Sequence, residues 1–253
     1  MIHPTAIVSS PVPDDAWIGP FAVVGEDVTL GGGVRIGAHA TVTGPTTLSD
    51  GVSIGPSAVI GTDPQDLKYR GEHTSLVIGS RTVVREFANI NRSTSVDHPT
   101  VIGADCLIMA YVHVAHDCII GDRVILANAV NLAGHVHIGD DVNIGGVVPV
   151  HQFVRIGRYA MIGGGFRVSM DVPPFVLASG YPLRVSMLNN VGLRRKGFTK
   201  ERLDLLDRVF RHLFREEGTL SVKAARLLED PDCPPDAAEL AGFILSSERG
   251  VIS

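Results

Sequence analysis

Residues 16–37 read AWIGPFAVVGEDVTLGGGVRIG, and the aliphatics Ile18, Val24, Leu30 and Ile36 fall six apart. Outward from this stretch the same beat starts at Val12 and runs through Val42, Leu48, Ile54 and Ile60. It resumes at Ile78 and passes Val84, Ile90, Val96, Ile102, Ile108, Val114 and Ile120 on its way to Val168. Only Asp66 and Glu72 break it. An α-helix cannot hold a strict period of six, so the chain reads as a solenoid of hexapeptide rungs. Two residues before most of these aliphatics stands a small or branched side chain, as at Ala16, Ala22, Val28, Ala40, Cys106, Val112 and Val124. Residues two apart on a strand share a face, so both point inward. Glycine follows the aliphatic at Gly19, Gly37, Gly79, Gly103 and Gly139, and the expectation is a corner with positive φ there. Short strand, turn and repeat build a prism with three rungs per coil. The rungs by themselves fit a coil of either hand.

The beat also divides the chain. Phe166 puts a bulky group into the small slot, and Asp171-Val172-Pro173-Pro174 ends the rungs near residue 170. From Thr199 the apolar spacing turns helical at Leu203, Leu206, Val209, Phe210 and Leu213. The expected layout is a β-helix over 1–170 with an excursion loop at 62–75, a connecting segment over 171–198, and a helical C-terminal domain over 199–253 that caps the open solenoid end. The loop follows from the two misses: the beat resumes in phase at Ile78, so the chain leaves the prism and returns. Long excursions from a rigid scaffold often carry function.

Composition narrows the partners. A net charge of −5 gives no sign of a nucleic-acid ligand. The opening MIHPTAIVSS lacks a basic region, and no apolar run reaches about 18 residues, so neither a secretory signal nor a membrane span is expected. Cys106 and Cys118 occupy the small inward slot and Cys233 stands alone in the tail. No disulfide framework is implied, in keeping with a cytoplasmic protein.

Five of the ten histidines fall between 113 and 151: His113, His116, His135, His137 and His151. With three rungs per coil, residues 18 apart stack, which places His116, Gly134 and Gln152 on one vertical edge and Asp117 beneath His135. Coils about 4.8 Å apart bring these groups within reach of one small substrate. Three readings remain open at this point. A lone corner histidine is more often a solvated surface group. Zinc between β-helix subunits needs three neutral imidazoles converging on one ion, whereas an Asp follows His116 and Gly and Gln occupy the stacked places. The third reading is general-base chemistry.

Several strings carry a further signal. Gln65-Asp66-Leu67-Lys68-Tyr69, followed by Gly71-Glu72, is one; His113-Val114-Ala115-His116-Asp117-Cys118 and Leu132-Ala133-Gly134-His135-Val136 are others. With Val150-His151-Gln152-Phe153 and Gly192-Leu193-Arg194-Arg195-Lys196-Gly197-Phe198, they resemble the UDP-N-acetylglucosamine O-acyltransferases of lipid A biosynthesis over nearly the whole chain. The resemblance implies a left-handed parallel β-helix. It also implies transfer of a (R)-3-hydroxyacyl group from acyl carrier protein to the 3-hydroxyl of UDP-N-acetylglucosamine. The acyl group would ride on the carrier's phosphopantetheine, with no other cofactor and no metal. Residue by residue, it implies that His116 is the general base, Asp117 its orienting carboxylate and Gly134 the oxyanion donor. Gln65, Asp66, Lys68, His113, His135, His151 and Gln152 would hold the sugar and phosphates, Asn189, Arg195 and Lys196 the nucleotide end, and Gly164 the floor of the acyl groove.

Some positions depart from that family's pattern. Val191 stands where a Glu is expected, Lys196 where a second Arg is common, and Arg167 is unusually large. Neighbouring readings are a sister N-acyltransferase, a CoA-dependent acetyltransferase and a non-catalytic scaffold. The CoA enzyme is not expected to carry the 65–72 motif, and a scaffold leaves the histidine motif idle. One prism's corner offers a base and a donor but no walls, so the expected assembly is a homotrimer with sites between neighbouring prisms.

Overall fold

The computed structural model describes residues 1–253. From Trp17–Ile18 to Met161–Ile162 the short parallel strands assemble into three sheets, each taking every third strand of the chain. The eight-stranded sheet runs from Ile7–Val8 to Pro149–Val150. The seven-stranded sheet runs from Val28–Leu30 to Arg155–Ile156, and the ten-stranded one from Trp17–Ile18 to Arg184–Leu188. Consecutive strands therefore visit the three sheets in turn. Register follows the beat: Val114 pairs with Leu132 and Leu132 with Val150, 18 residues on each time.

The six-residue period works because each inward aliphatic lands on another. Ile18, Ile36, Ile60, Ile90, Ile108 and Val114 are fully buried, and one apolar core continues from the coils into the C-terminal helices. Each such side chain contributes about 1.5–3 kcal/mol by leaving water. Cys106 and Cys118 are buried among them, and burial pushes the Cys118 thiol up to about 12, which removes it from thiolate chemistry.

Two expectations are corrected. The glycines after the aliphatics are not where φ turns positive. The left-handed residue comes two places later, at His39, Arg81, Asp105 and Asp141, with φ of 57–60°. Glycine is needed two places earlier because the next coil passes too close. A Cβ on Gly79 would stand 2.6 Å from the Ala104 nitrogen, and one on Gly37 2.7 Å from that of Pro56. Val96, counted as an inward rung, is 65% exposed. Residues 92–99 leave the coil between Asn89–Asn91 and Thr100–Ile102 as a second excursion. Ile90 pairs with Val114, six residues more than one coil, so the insertion kept the beat in phase and hid itself.

Past the last coil, Val176–Ser179 pairs in parallel with Met161–Ile162, and Arg184–Leu188 returns antiparallel to it. Four helices follow: α1 (Asn190–Arg195), α2 (Lys200–Phe214), α3 (Leu220–Glu229) and α4 (Pro235–Leu245). Thr199 caps α2, its hydroxyl accepting from the Arg202 N–H at 3.3 Å, and Leu203, Leu206, Val209, Phe210 and Leu213 form its buried face. Polar contacts tie the tail to the coils: Arg155 donates to the Ser246 carbonyl at 2.8 Å, Ser247 to Asp171 at 2.8 Å, and Arg158 pairs with Glu239.

Candidate active site

His116 stands where the chain turns from the eight-stranded into the seven-stranded sheet, between His113–Val114 and Ile119–Ile120. Its Nδ1 lies 2.7 Å from Oδ2 of Asp117, and the two side chains are only 13% and 10% exposed. The ring is thus far more covered than a solvated corner histidine. Burial by itself raises the Asp117 carboxyl. The hydrogen bonds from His116 and Thr94 outweigh it and hold the carboxyl down to about 2, so it is ionised at neutral pH. An ionised acceptor on Nδ1 leaves Nε2 as the free face of the ring.

Gly134, one coil further on, packs against that ring: a Cβ there would sit 2.6 Å from Cε1 and 2.8 Å from Nε2 of His116. The Gly134 N–H donates no hydrogen bond within the chain. His135 meets His116 edge-on with centroids 5.2 Å apart and stacks on Phe153 at 4.5 Å. His113 bonds Asn89 at 2.9 Å, and burial holds it below its ordinary value, so it is neutral at pH 7. Nδ1 of His151 lies 3.1 Å from both the Gln152 carbonyl and the Arg249 guanidinium and can bond only one of them at a time, and Gln152 is exposed above them.

The excursion loop 62–75 leaves the coil at the same edge, between Val59–Thr62 and Leu76–Ile78. Asp66 accepts from the Lys68 N–H at 2.8 Å, while the Lys68 ammonium and the Gln65 amide have no partner within the chain. Two further edges hold the remaining candidates. Asn189, Arg195 and Lys196 line a cavity of about 380 Å³ with Arg123, Asp141 and Tyr159, where the seven-stranded sheet turns into the ten-stranded one. There Lys196 pairs with Asp141 at 2.6 Å, Asn189 caps α1, and Arg195 makes no ion pair. Gly164 lies at the third edge, its Cα facing the backbone of Gly146. One chain therefore brings together the His116 group and the loop, and separates them from Arg195 and from Gly164.

Thr94 was missed by sequence reading. Its N–H and hydroxyl both reach Asp117, at 3.0 and 2.7 Å. The available signal was the run of Ser, Thr, Asp and Pro over 93–99, which marks a loop whatever the beat says. His116, Asp117 and His135 each offer a ligand atom, all within 4.8 Å of one another. The lone pairs of Asp117 are already engaged by Thr94 and by Nδ1 of His116, which suits an orienting pair better than a tetrahedral zinc set.

Residues 171–252 match the family model described as "Udp N-acetylglucosamine O-acyltransferase; Domain 2", and 12–44 and 99–134 match bacterial transferase hexapeptide repeats. An acyl-[acyl-carrier-protein]–UDP-N-acetylglucosamine O-acyltransferase of Thermodesulfovibrio yellowstonii is 43% identical over 99% of this chain and 98% of its own length. The chain belongs to that O-acyltransferase family. A Chlorobaculum parvum protein of the same name is 46% identical over 98% of the acyltransferase described here and 96% of its own length. The solved UDP-N-acetylglucosamine O-acyltransferase of Moraxella catarrhalis superposes with a TM-score of 0.95 at 40% identity, covering 100% of this acyltransferase and 99% of that chain. The hexapeptide match and these neighbours make the coil of this acyltransferase a left-handed β-helix.

Proposed function

We propose that the protein transfers a (R)-3-hydroxyacyl group from acyl carrier protein to the 3-hydroxyl of UDP-N-acetylglucosamine, the first step of lipid A biosynthesis, with His116 as general base. One observation carries this reading: the 2.7 Å bond that turns His116 Nδ1 toward Asp117, with Gly134, whose N–H donates no bond within the chain, packed on the same ring. A sugar hydroxyl is a poor nucleophile at pH 7. Nε2 of His116 takes its proton as the oxygen attacks the thioester carbonyl. The resulting oxyanion accepts from the Gly134 N–H, a donor of the kind that contributes about 3 kcal/mol in acyl transfer. On collapse the C–S bond breaks and the phosphopantetheine thiolate leaves, taking the proton back from the imidazolium.

Lys68, Gln65, Asp66, His113, His135, His151 and Gln152 surround the same edge and suit the sugar and its phosphates. Arg195, with Asn189 and Lys196, suits the nucleotide end, where a free guanidinium complements a pyrophosphate. Gly164 is the acyl-groove floor in this reading. Because Arg195 and Gly164 lie on edges other than that of His116, a complete site takes residues from neighbouring copies, as a homotrimer supplies. The helical C-terminal segment caps the open end of the coils. The reading needs no metal and no cofactor beyond the carrier's own arm, and it belongs to a cytoplasmic setting. No helix is long and apolar enough to cross a membrane.

His116→Ala tests the chemistry. Loss of the base lowers the turnover by about 10²–10⁴, while the ring's corner position keeps Tm within about 4 °C of the parent. Near-normal transfer from acyl carrier protein by this variant removes His116 from the role.

A further inference from the structure

The polar atoms of Asp117 are held by the second excursion, by the first residue of the strand that follows it, and by His116. The Asp117 N–H donates to Thr100 Oγ1 at 2.9 Å, and Oδ1 accepts from the Thr94 N–H at 3.0 Å. Oδ2 accepts from the Thr94 hydroxyl at 2.7 Å and from His116 at 2.7 Å. Thr94 itself cannot drift. Ser93 beside it is fully buried, its N–H donates to the Ser75 carbonyl at 3.2 Å, and its hydroxyl closes onto the Ser95 carbonyl at 2.9 Å. Arg92 then anchors the start of the segment to the carbonyls of Gly44 and Gly61.

Other corner aspartates show how unusual this is. Of the other three aspartates with left-handed φ, Asp105 is bound by Arg81 and Asp141 by Arg123, while the Asp27 side chain has no ion pair. Asp117 instead has a hydroxyl and an imidazole on a single oxygen. An arginine in that place would compete for the carboxylate and draw it from the ring. A neutral hydroxyl fixes the direction of the carboxylate and leaves its charge for His116.

We propose that Thr94 is a positioning residue for the transfer reaction, aligning the Asp117 carboxylate so that His116 is held as the Nδ1–H tautomer with Nε2 facing the sugar hydroxyl. This rests on the reading of His116 as the base. The hydroxyl acts on the reacting ring alone, so its loss changes kcat and leaves binding intact. The backbone N–H of Thr94 survives substitution by Val or Ser, which isolates the hydroxyl as the variable.

Thr94→Val removes the donor and keeps the shape; Thr94→Ser keeps the donor. Thr94→Val is expected to lose about tenfold to a hundredfold in kcat, the factor carried by one hydrogen bond to a charged group, with KM for UDP-N-acetylglucosamine within about twofold of the parent because no binding contact is removed. Thr94→Ser is expected to retain most of the turnover. An unchanged kcat in Thr94→Val, a matching loss in Thr94→Ser, or a loss expressed in KM overturns the proposal. Histidine ¹⁵N spectra, with His116→Ala identifying the resonance, read the same geometry without substrate. One Nδ1–H tautomer is expected in the parent and Thr94→Ser, and a mixture in Thr94→Val. The same single tautomer in all three proteins overturns the proposal even if the parent proves inert toward UDP-N-acetylglucosamine, an outcome that sinks the transferase reading separately.

Discussion

At the scale of single residues, Gly134 shows how tightly the site is built. No positive φ demands glycine there; the imidazole of His116 does, because it occupies the space of a side chain. In Gly134→Ala the new Cβ meets Cε1 at 2.6 Å, and an aromatic ring cannot yield without turning off the Asp117 carboxylate. Turnover is expected to drop by about a hundredfold, the usual consequence of misplacing a reacting group by about 1 Å. A variant within threefold of the parent in steady-state transfer shows that the ring does not need this seat. The residue-level candidates were legible because adding 18 to His116 gives Gly134. The tautomer was not, since in the proposed reading it depends on Thr94, a partner of Asp117 that lies 23 residues from it in sequence.

Elements come next, and the two excursions differ in how they could be read. The 62–75 loop announces itself through Asp66 and Glu72 in inward slots. The 92–99 segment inserts six residues, one whole period, and Val96 falls on the beat while lying 65% exposed. A periodic pattern cannot report an insertion equal to its own period. The structure joins the two segments through Arg92, which is 9% exposed and donates to the Gly61 carbonyl at 2.7 Å and the Tyr69 hydroxyl at 3.2 Å, and pairs with Asp63. Arg92→Ala therefore loosens the substrate loop. Tryptic cleavage after Lys68 or Arg70 is expected to speed up about tenfold or more, as loss of hydrogen bonds from a charged group populates the open loop. Mass-mapped digestion with parent-like rates at both sites counts against the anchor. The helices were easier to read: the buried face of α2 is the one its apolar spacing gives, because helical periodicity and burial are both local to the element.

For the whole molecule, the decisive fact is that one chain spreads the candidate groups over three edges. His116 and the loop share one edge, Arg195 lines a cavity at the second, and Gly164 sits at the third. In the proposed reading a neighbouring copy brings its Arg195 and Gly164 to the His116 edge and closes the site. Sedimentation is expected to give a trimer at assay concentration, and co-expressed His116→Ala and Arg195→Ala chains to recover part of the activity that each lacks alone. An active monomer, or a co-expressed pair as inert as its parts, rules out the shared site. The sequence determined the three-rung coil, the inward aliphatics, the first loop, the helical tail and the His116–Gly134 stack, because each follows from spacing along the chain. Tertiary structure alone decided which edge each candidate occupies, that 92–99 leaves the coil, and that Thr94 holds Asp117. Those relations join residues across coils, where every insertion resets the count and hydrogen bonds form between partners that no period connects.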